Sequence, residues 1–411
     1  MNVRPYDPEK DREAVQRIWK EIHWIDDDDK DDARSMDLFL AESRVLVADV
    51  NDQAECMVSS APGTIMHLEN ELSLSIVAAV TTSLVARKLG LASQLTAQLV
   101  AQDAAEGLDV AALGMFEQGF YSRLGFGTGP YEHKVQFNPA HLKVSRKAGV
   151  PERLNEDHYK DIHSALMHRW RTHGSVQVFP PGHARGEIIW TDNPVGFGYR
   201  DEKGELTHFI WGELKDEYGP FKINAMAYRN RDQLMELLAL IGNFGDQVYM
   251  ARMVEPVHVQ LQDLLDEPFR NQNISGGGKY EALNSAEAFS QIRINNLESC
   301  LKKTSLPNRE PFAFNLRLDD PITQYLPEDQ TWRGIGGDYS LVLGPECSAT
   351  PGFVDSLPIL EASVGGFSRL WLGCASANAI ATCGEISGAQ EMLDELEKVL
   401  SLPLPKTGWE F

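Results

Sequence analysis

The chain has 411 residues, and 38 Lys+Arg against 60 Asp+Glu leave a formal charge of −22. With 43% apolar and 24% charged residues, it has a globular rather than a disordered composition, and the length suits two or three domains. The acidic balance argues against a duplex-DNA binder, which needs a basic face, and suits a cationic partner, because a negative cleft concentrates amines.

No apolar run reaches ~18 residues, so no membrane span is expected. The start, residues 1–10, is charged and lacks the apolar core of a secretory signal. Cys56, Cys300, Cys347, Cys374 and Cys383 are odd in number and without CxxC spacing. That pattern predicts free thiols in a reducing cytoplasm and offers no zinc site.

Val15, Ile18, Trp19 and Ile22 recur at helical spacing behind Asp7-Pro8, a cap followed by a first-turn proline, and predict the first helix. The acidic run at 26–29, with Asp31 and Asp32, reads as a solvated loop face or as the entrance for a cationic substrate. Strands at 44–49 and 54–59 flank the turn Asn51-Asp52-Gln53 as a hairpin. A long apolar strand at 72–82, a glycine-containing loop at 87–92, a helix carrying Leu91, Leu95 and Leu99, and a short strand at 110–113 complete a first unit, 1–140.

The second unit, 141–275, repeats that order. A hairpin at 197–200 and 206–211 precedes a strand at 221–228 and a helical stripe of Leu234, Leu237, Leu238 and Ile241. In place of the glycine loop stands Tyr228-Arg229-Asn230-Arg231-Asp232, so the copy is expected to be inactive. Ser275-Gly276-Gly277-Gly278 opens a third unit, 276–411, with a strand candidate at 339–343, an apolar alternation at 359–364 and a helix carrying Met392, Leu393, Leu396, Val399 and Leu400. The proline- and tryptophan-containing end reads as an extended tail able to pack. His158, His163, His168 and His173 recur every five residues, but a helix turns them about 140° apart, so they cannot face one metal.

The strongest local signal is Arg87-x-x-Gly90-x-Ala92 between a strand and a helix. Small residues there let main-chain N–H groups approach a pyrophosphate at a helix start. Arg87 and Lys88 add two cations. The spacing alone also fits a plain strand-to-helix turn, and one loop glycine is too few for a dinucleotide fold. In this position, however, the pattern is similar to the acetyl-CoA loop of GNAT N-acetyltransferases. The string from Glu117 to Gly127, Glu-Gln-Gly-Phe-Tyr-Ser-Arg-Leu-Gly-Phe-Gly, resembles a signature of the Eis-type (enhanced intracellular survival) acetyltransferases.

The resemblance covers essentially the whole chain. It implies an α/β (α+β) architecture: two tandem GNAT-like domains with mixed sheets, the second without the cofactor loop, then a sterol-carrier-protein-like domain. It implies acetyl-CoA as cosubstrate, no metal, and a homo-oligomer, a hexamer in relatives. Cofactor contacts fall on Val80, Thr81, Thr82, Arg87, Lys88, Leu89, Gly90, Leu91, Ala92, Ser93, Phe116 and Glu117. Tyr121 falls on the general acid and the C-terminal carboxylate of Phe411 on the general base. Two positions depart from the pattern: Leu89 stands where a third cation is usual, and Phe116 where a small polar residue is.

The implied reaction is acetyl transfer to a cationic amine, aminoglycoside-like or polyamine-like, by direct attack. An alkylamine of pKa about 10 must first lose a proton, and a thiolate of pKa about 8.5 leaves more easily if protonated. The alternatives are a non-catalytic acetyl-CoA sensor and a binding module for an apolar ligand.

Overall fold

The computed structural model describes residues 2–26 and 30–409. The first helix spans Pro8–Glu21 and buries Val15, Ile18 and Trp19. Its start is set by Asp7, whose carboxylate accepts from the Glu9 N–H at 3.0 Å, as a cap should. The hairpin joins Arg44–Val50 to Gln53–His67. Its turn is only Asn51-Asp52, both at positive φ (52° and 62°), the two-residue turn whose twist matches that of the strands. Gln53, expected in the turn, already pairs with Val50. Part of the acidic run is not loop: Asp31 and Asp32 lie in the first turn of a helix, Lys30–Ala41, where negative charge complements the helix dipole. That helix packs on Pro181–Ile189, with Phe39 stacked on His183 at 4.1 Å.

The described residues form three mixed sheets, of eight, seven and five strands. In the first, Asn2–Pro5, Arg44–Val50, Gln53–His67 and Asn70–Thr82 run antiparallel in succession, and Asn70–Thr82 then pairs in parallel with Val110–Gly114. The second sheet repeats this plan: Pro194–Arg200, Leu206–Leu214 and Phe221–Ala227 run antiparallel, and the last pairs in parallel with Ala251–Val254. Phe312–Asp319, Gly337–Leu343 and Ile359–Ser363 belong to the third, against which Val364–Trp371 and Gln390–Val399 pack.

The sheets do not divide at 140 and 275. Glu132–Phe137 pairs into the second sheet beside Leu283–Glu287. Val176–Val178 adds to the first sheet along Gln53–His67. Ser290–Ile294 is inserted into the first sheet between Val110–Gly114 and Gly127–Thr128. All five of its residues are buried, so both faces need partners that only a central position supplies.

One apolar core joins the first and third sheets, with Ile65, Leu74, Ile76 and Ile292 against Phe314, Leu316, Phe367 and Trp371. The tail is packed. Lys406 N–H donates to the His173 carbonyl, Val176 N–H donates to the Thr407 carbonyl, each at 3.0 Å, and Trp409 stacks near Arg169. The four spaced histidines serve capping and packing. His158 accepts from Asn155 N–H, His163 and His168 bond the Val178 and Ser164 carbonyls, and His173 accepts from Leu68 N–H while bonding the Leu372 carbonyl.

His67 is fully buried, stacked on Trp371 with centroids 4.3 Å apart and bonded to the Trp371 carbonyl at 2.9 Å. Desolvation pushes its pKa from 6.5 to about 3, and those of His183 and His208 to about 4. The unfolded chain takes up these protons below 6.5 while the folded chain resists until far lower. Stability is therefore complete above that pH and is lost as pH falls toward 4 and 3. Urea unfolding at about pH 7.5 and about pH 5 should show this loss, and His67→Phe, which keeps the stack, should show a smaller one. Equal losses in the two proteins would assign the effect to other groups.

Candidate active site

Parallel pairing between Asn70–Thr82 and Val110–Gly114 runs from Leu74↔Val110 to Val77↔Leu113 and stops there, although the first strand continues to Thr82. Two residues further on, Ala79 takes a left-handed φ of 51°. The register against Gln53–His67 slips in the same place, between Met57 and Ser59, a bulge that bends the strand. Val80, Thr81 and Thr82 thus follow a bend, with the pairing to Val110–Gly114 already ended.

Beyond Thr82 a short turn, Leu84–Ala86, leads to Arg87, Lys88 and Leu89, all exposed. Leu84 N–H is held by the Glu21 carboxylate at 2.7 Å. Lys88 and Gly90 both adopt left-handed φ, 64° and 76°. Gly90 precedes the helix Leu91–Ala105, whose start has no side-chain cap. The N–H groups of Leu91, Ala92 and Ser93 therefore lack intrahelical partners and point outward with the positive end of the helix dipole. A Cβ on Gly90 would meet nothing within 4 Å, so the glycine serves its backbone angle and leaves open space. Among the described residues neither Arg87 nor Lys88 forms an ion pair. The arrangement can hold an anion such as a phosphate.

Tyr121 lies on the short helix Gln118–Ser122 and is 2% exposed. It belongs to the apolar cluster that includes Leu91 and Leu95, against which Val80, Ala92 and Met115 pack. Its ring sits edge-on to Phe116 at 5.9 Å and to Phe120 at 4.8 Å. Burial pushes the phenol well above its ordinary value, so its proton stays on at neutral pH. Glu117 has a local task, capping the Tyr121 helix by accepting from Gly119 N–H at 3.0 Å. Phe116 is largely exposed, 73%, at the mouth. The strand end, the loop and Tyr121 are brought together; Phe411 lies outside the described residues.

The second sheet has the same geometry without the anion cradle. Parallel pairing ends at Ile223↔Met253 while Phe221–Ala227 runs on. Here the following helix, Arg231–Gly242, is capped by Asn230, which accepts from Gln233 N–H at 3.0 Å, and the Gln233 side chain accepts from Arg229 N–H at 2.7 Å. The helix start satisfies itself. Below the parted strands lies a cavity of about 420 Å³. Its walls include Trp211, Met226, Phe289 and Trp409, with Glu132, Glu187 and Glu255 among them. The Phe289 carbonyl accepts from Met115 N–H at 2.9 Å, which sets this wall one residue from Phe116.

The sequence alone did not mark Gln291, which reaches the Tyr121 helix from the inserted strand, or Arg293, which reaches the turn after it. Their visible trace was alternation of polar and apolar residues through Ser290–Ile294.

Residues 2–129 match the model of the family described as an acetyltransferase (GNAT) domain. No curated sequence matches the chain. Among solved structures, the fold is similar to a probable N-acyltransferase from Enterococcus faecalis at 16% identity, with a TM-score of 0.78 over 98% of each chain. It is likewise similar to a GCN5-related N-acetyltransferase from Anabaena variabilis, at 13% identity and TM-score 0.77 over 100% of each chain. Eis1 from Mycobacterium abscessus aligns at 14% identity and TM-score 0.74, again over 100% of each. Residues 2–129 are a GNAT acetyltransferase domain, and the protein is an acyltransferase.

Proposed function

We propose that the protein moves an acetyl group from acetyl-CoA to an amine of a cationic small molecule, aminoglycoside-like or polyamine-like, in the manner of the Eis-type enzymes it resembles. One juxtaposition carries this reading. A strand that bends where its parallel neighbour ends faces an uncapped helix start with two exposed cations, and a buried tyrosine closes the root.

In this reading the pantetheine arm runs along Val80, Thr81 and Thr82 as a short extra strand. The phosphates meet the N–H groups around Gly90, Leu91, Ala92 and Ser93, with Arg87 and Lys88 as counter-charges. Leu89 lies in the same loop around the phosphates, and Phe116 and Glu117 complete the cofactor contacts. Main-chain N–H groups at the strand end, aimed at the thioester oxygen, would stabilise its developing charge by roughly 3–4 kcal/mol per donor. Tyr121 holds its proton against ionisation, so it hydrogen-bonds the departing sulfur first and completes the transfer as the carbon–sulfur bond breaks.

The acceptor enters between the two GNAT-like halves. The chain's acidic balance, −22 overall, supports a cationic acceptor, and the mostly apolar cavity of the second half suits one with an apolar or extended body. The Phe411 carboxylate serves as base for the attacking amine, directly or through water. A hexameric assembly, a sterol-carrier-like third domain and a cytoplasmic location belong to the same proposal by resemblance.

Arg87→Ala should weaken acetyl-CoA binding by ~1–3 kcal/mol in calorimetry, and unchanged affinity would refute the loop assignment. Tyr121→Phe should bind acetyl-CoA as the parent does but turn over far more slowly; parental turnover would move the proton donor elsewhere. Thiol release from acetyl-CoA, measured against a panel of amino sugars, polyamines and arylalkylamines, should appear with at least one amine. Silence with cofactor bound would make the protein a sensor.

A further inference from the structure

The strand Ser290–Ile294 falls outside the residues matched to the acetyltransferase family, yet it completes that domain's sheet beside the Tyr121 helix. Side chains alternate across a sheet, so Gln291 and Arg293 share one face, and both are 0% exposed. The Gln291 amide donates to Ser122 Oγ at 3.3 Å and to the Gln118 carbonyl at 3.5 Å. The Arg293 guanidinium donates to the Leu124 carbonyl. Leu124 N–H and Phe126 N–H in turn donate to the Tyr121 carbonyl, at 2.9 and 3.2 Å. The helix and the turn around Tyr121 are therefore gripped at both ends by one strand.

Arg293 is fixed from its other side. Asp320 accepts from it at 2.8 Å, with the two side chains 0% and 1% exposed. The same carboxylate accepts from Ile322 N–H at 3.2 Å and Ile335 N–H at 2.9 Å. The guanidinium lies over Phe126 and Trp332, at 6.0 and 5.3 Å from the ring centroids. Gly125, in the Tyr121 turn, has φ 81°, and a Cβ there would stand 2.8 Å from an Arg293 nitrogen and 3.2 Å from an Asp320 oxygen. Such a pair is an inefficient stabiliser, because apolar residues of equal volume often do as well or better in a core. What it supplies here is a fixed direction at a chosen carbonyl.

We propose that Gln291 and the Arg293–Asp320 pair are positioning residues for Tyr121, so that the aim of the proton donor is set by chain segments beyond the acetyltransferase domain. The proposal rests on Tyr121 as the acid. Misplacing a catalytic group by about 1 Å can cost on the order of 100-fold in rate, while cofactor contacts on the opposite strand stay as they were.

The test is a double-substitution cycle in the full-length protein. Arg293→Lys keeps the charge but loses the fork, and Gln291→Met removes the amide without touching the ion pair. Each should lower kcat by about tenfold or more with KM for acetyl-CoA within about twofold. Added to Tyr121→Phe, each should change its residual kcat by less than about twofold, since there is no proton left to aim. The same factor in both backgrounds, or no loss in either, would overturn the proposal and leave these residues as fold support. Parental turnover in Tyr121→Phe alone would remove the acid and the proposal with it, a result separate from additivity. If Arg293→Lys fails to fold, as judged by circular dichroism, Gln291→Met decides the question by itself.

Discussion

Two parallel strands that part are what the rest of the site depends on. While Asn70–Thr82 and Val110–Gly114 are paired, their main-chain groups answer one another; past Val77 and Leu113 they do not. Buried main-chain groups seek partners, so the opening is stable only if a bound molecule or water supplies them. The bulge at Ala79 fixes where the bend falls, the unguarded helix start gives the opening a positive pole, and the Tyr121 helix closes its root.

The second half of the chain shows the same strands parting with a different outcome. Both pairs of strands part after a short parallel run; the loops that follow differ. Asn230 and Gln233 satisfy the start of the second helix from within, so no pole faces outward. What is left is a roomy, mostly apolar hollow with carboxylates among its walls and the chain's tail across it. The same parting of strands thus leaves an uncapped helix start in one half and a chamber in the other.

Much of the local structure was legible in the residues. The cap at Asp7, the stripes of Val15–Ile18–Trp19 and Leu234–Leu237–Leu238, and the loop at Gly90 all lie where spacing put them, because each depends on neighbours within a few positions. The helix Lys30–Ala41 was hidden by its acidic start, which resembles a loop until the dipole is counted. The strands Val176–Val178 and Ser290–Ile294 were not read from the sequence, because strand pairing is a long-range decision and a run of three to five residues carries no address. For the same reason the grip of Arg293 on Leu124 could not be read: a buried arginine looks like a surface one until its partner, Asp320, is brought beside it.

The late strand bears on how the molecule is made. A nascent chain that has emerged through Thr128 holds the loop, the helix and Tyr121, but its sheet still lacks the strand between Val110–Gly114 and Gly127–Thr128. That gap closes only after the strand Ser290–Ile294 has left the ribosome. Domains commonly fold in order of synthesis; this one must wait, with an unpaired edge exposed to other chains. The Tyr121 turn therefore takes its final surroundings only once the strand Ser290–Ile294 exists, and a product terminated before it carries the Gly90 loop without a completed sheet.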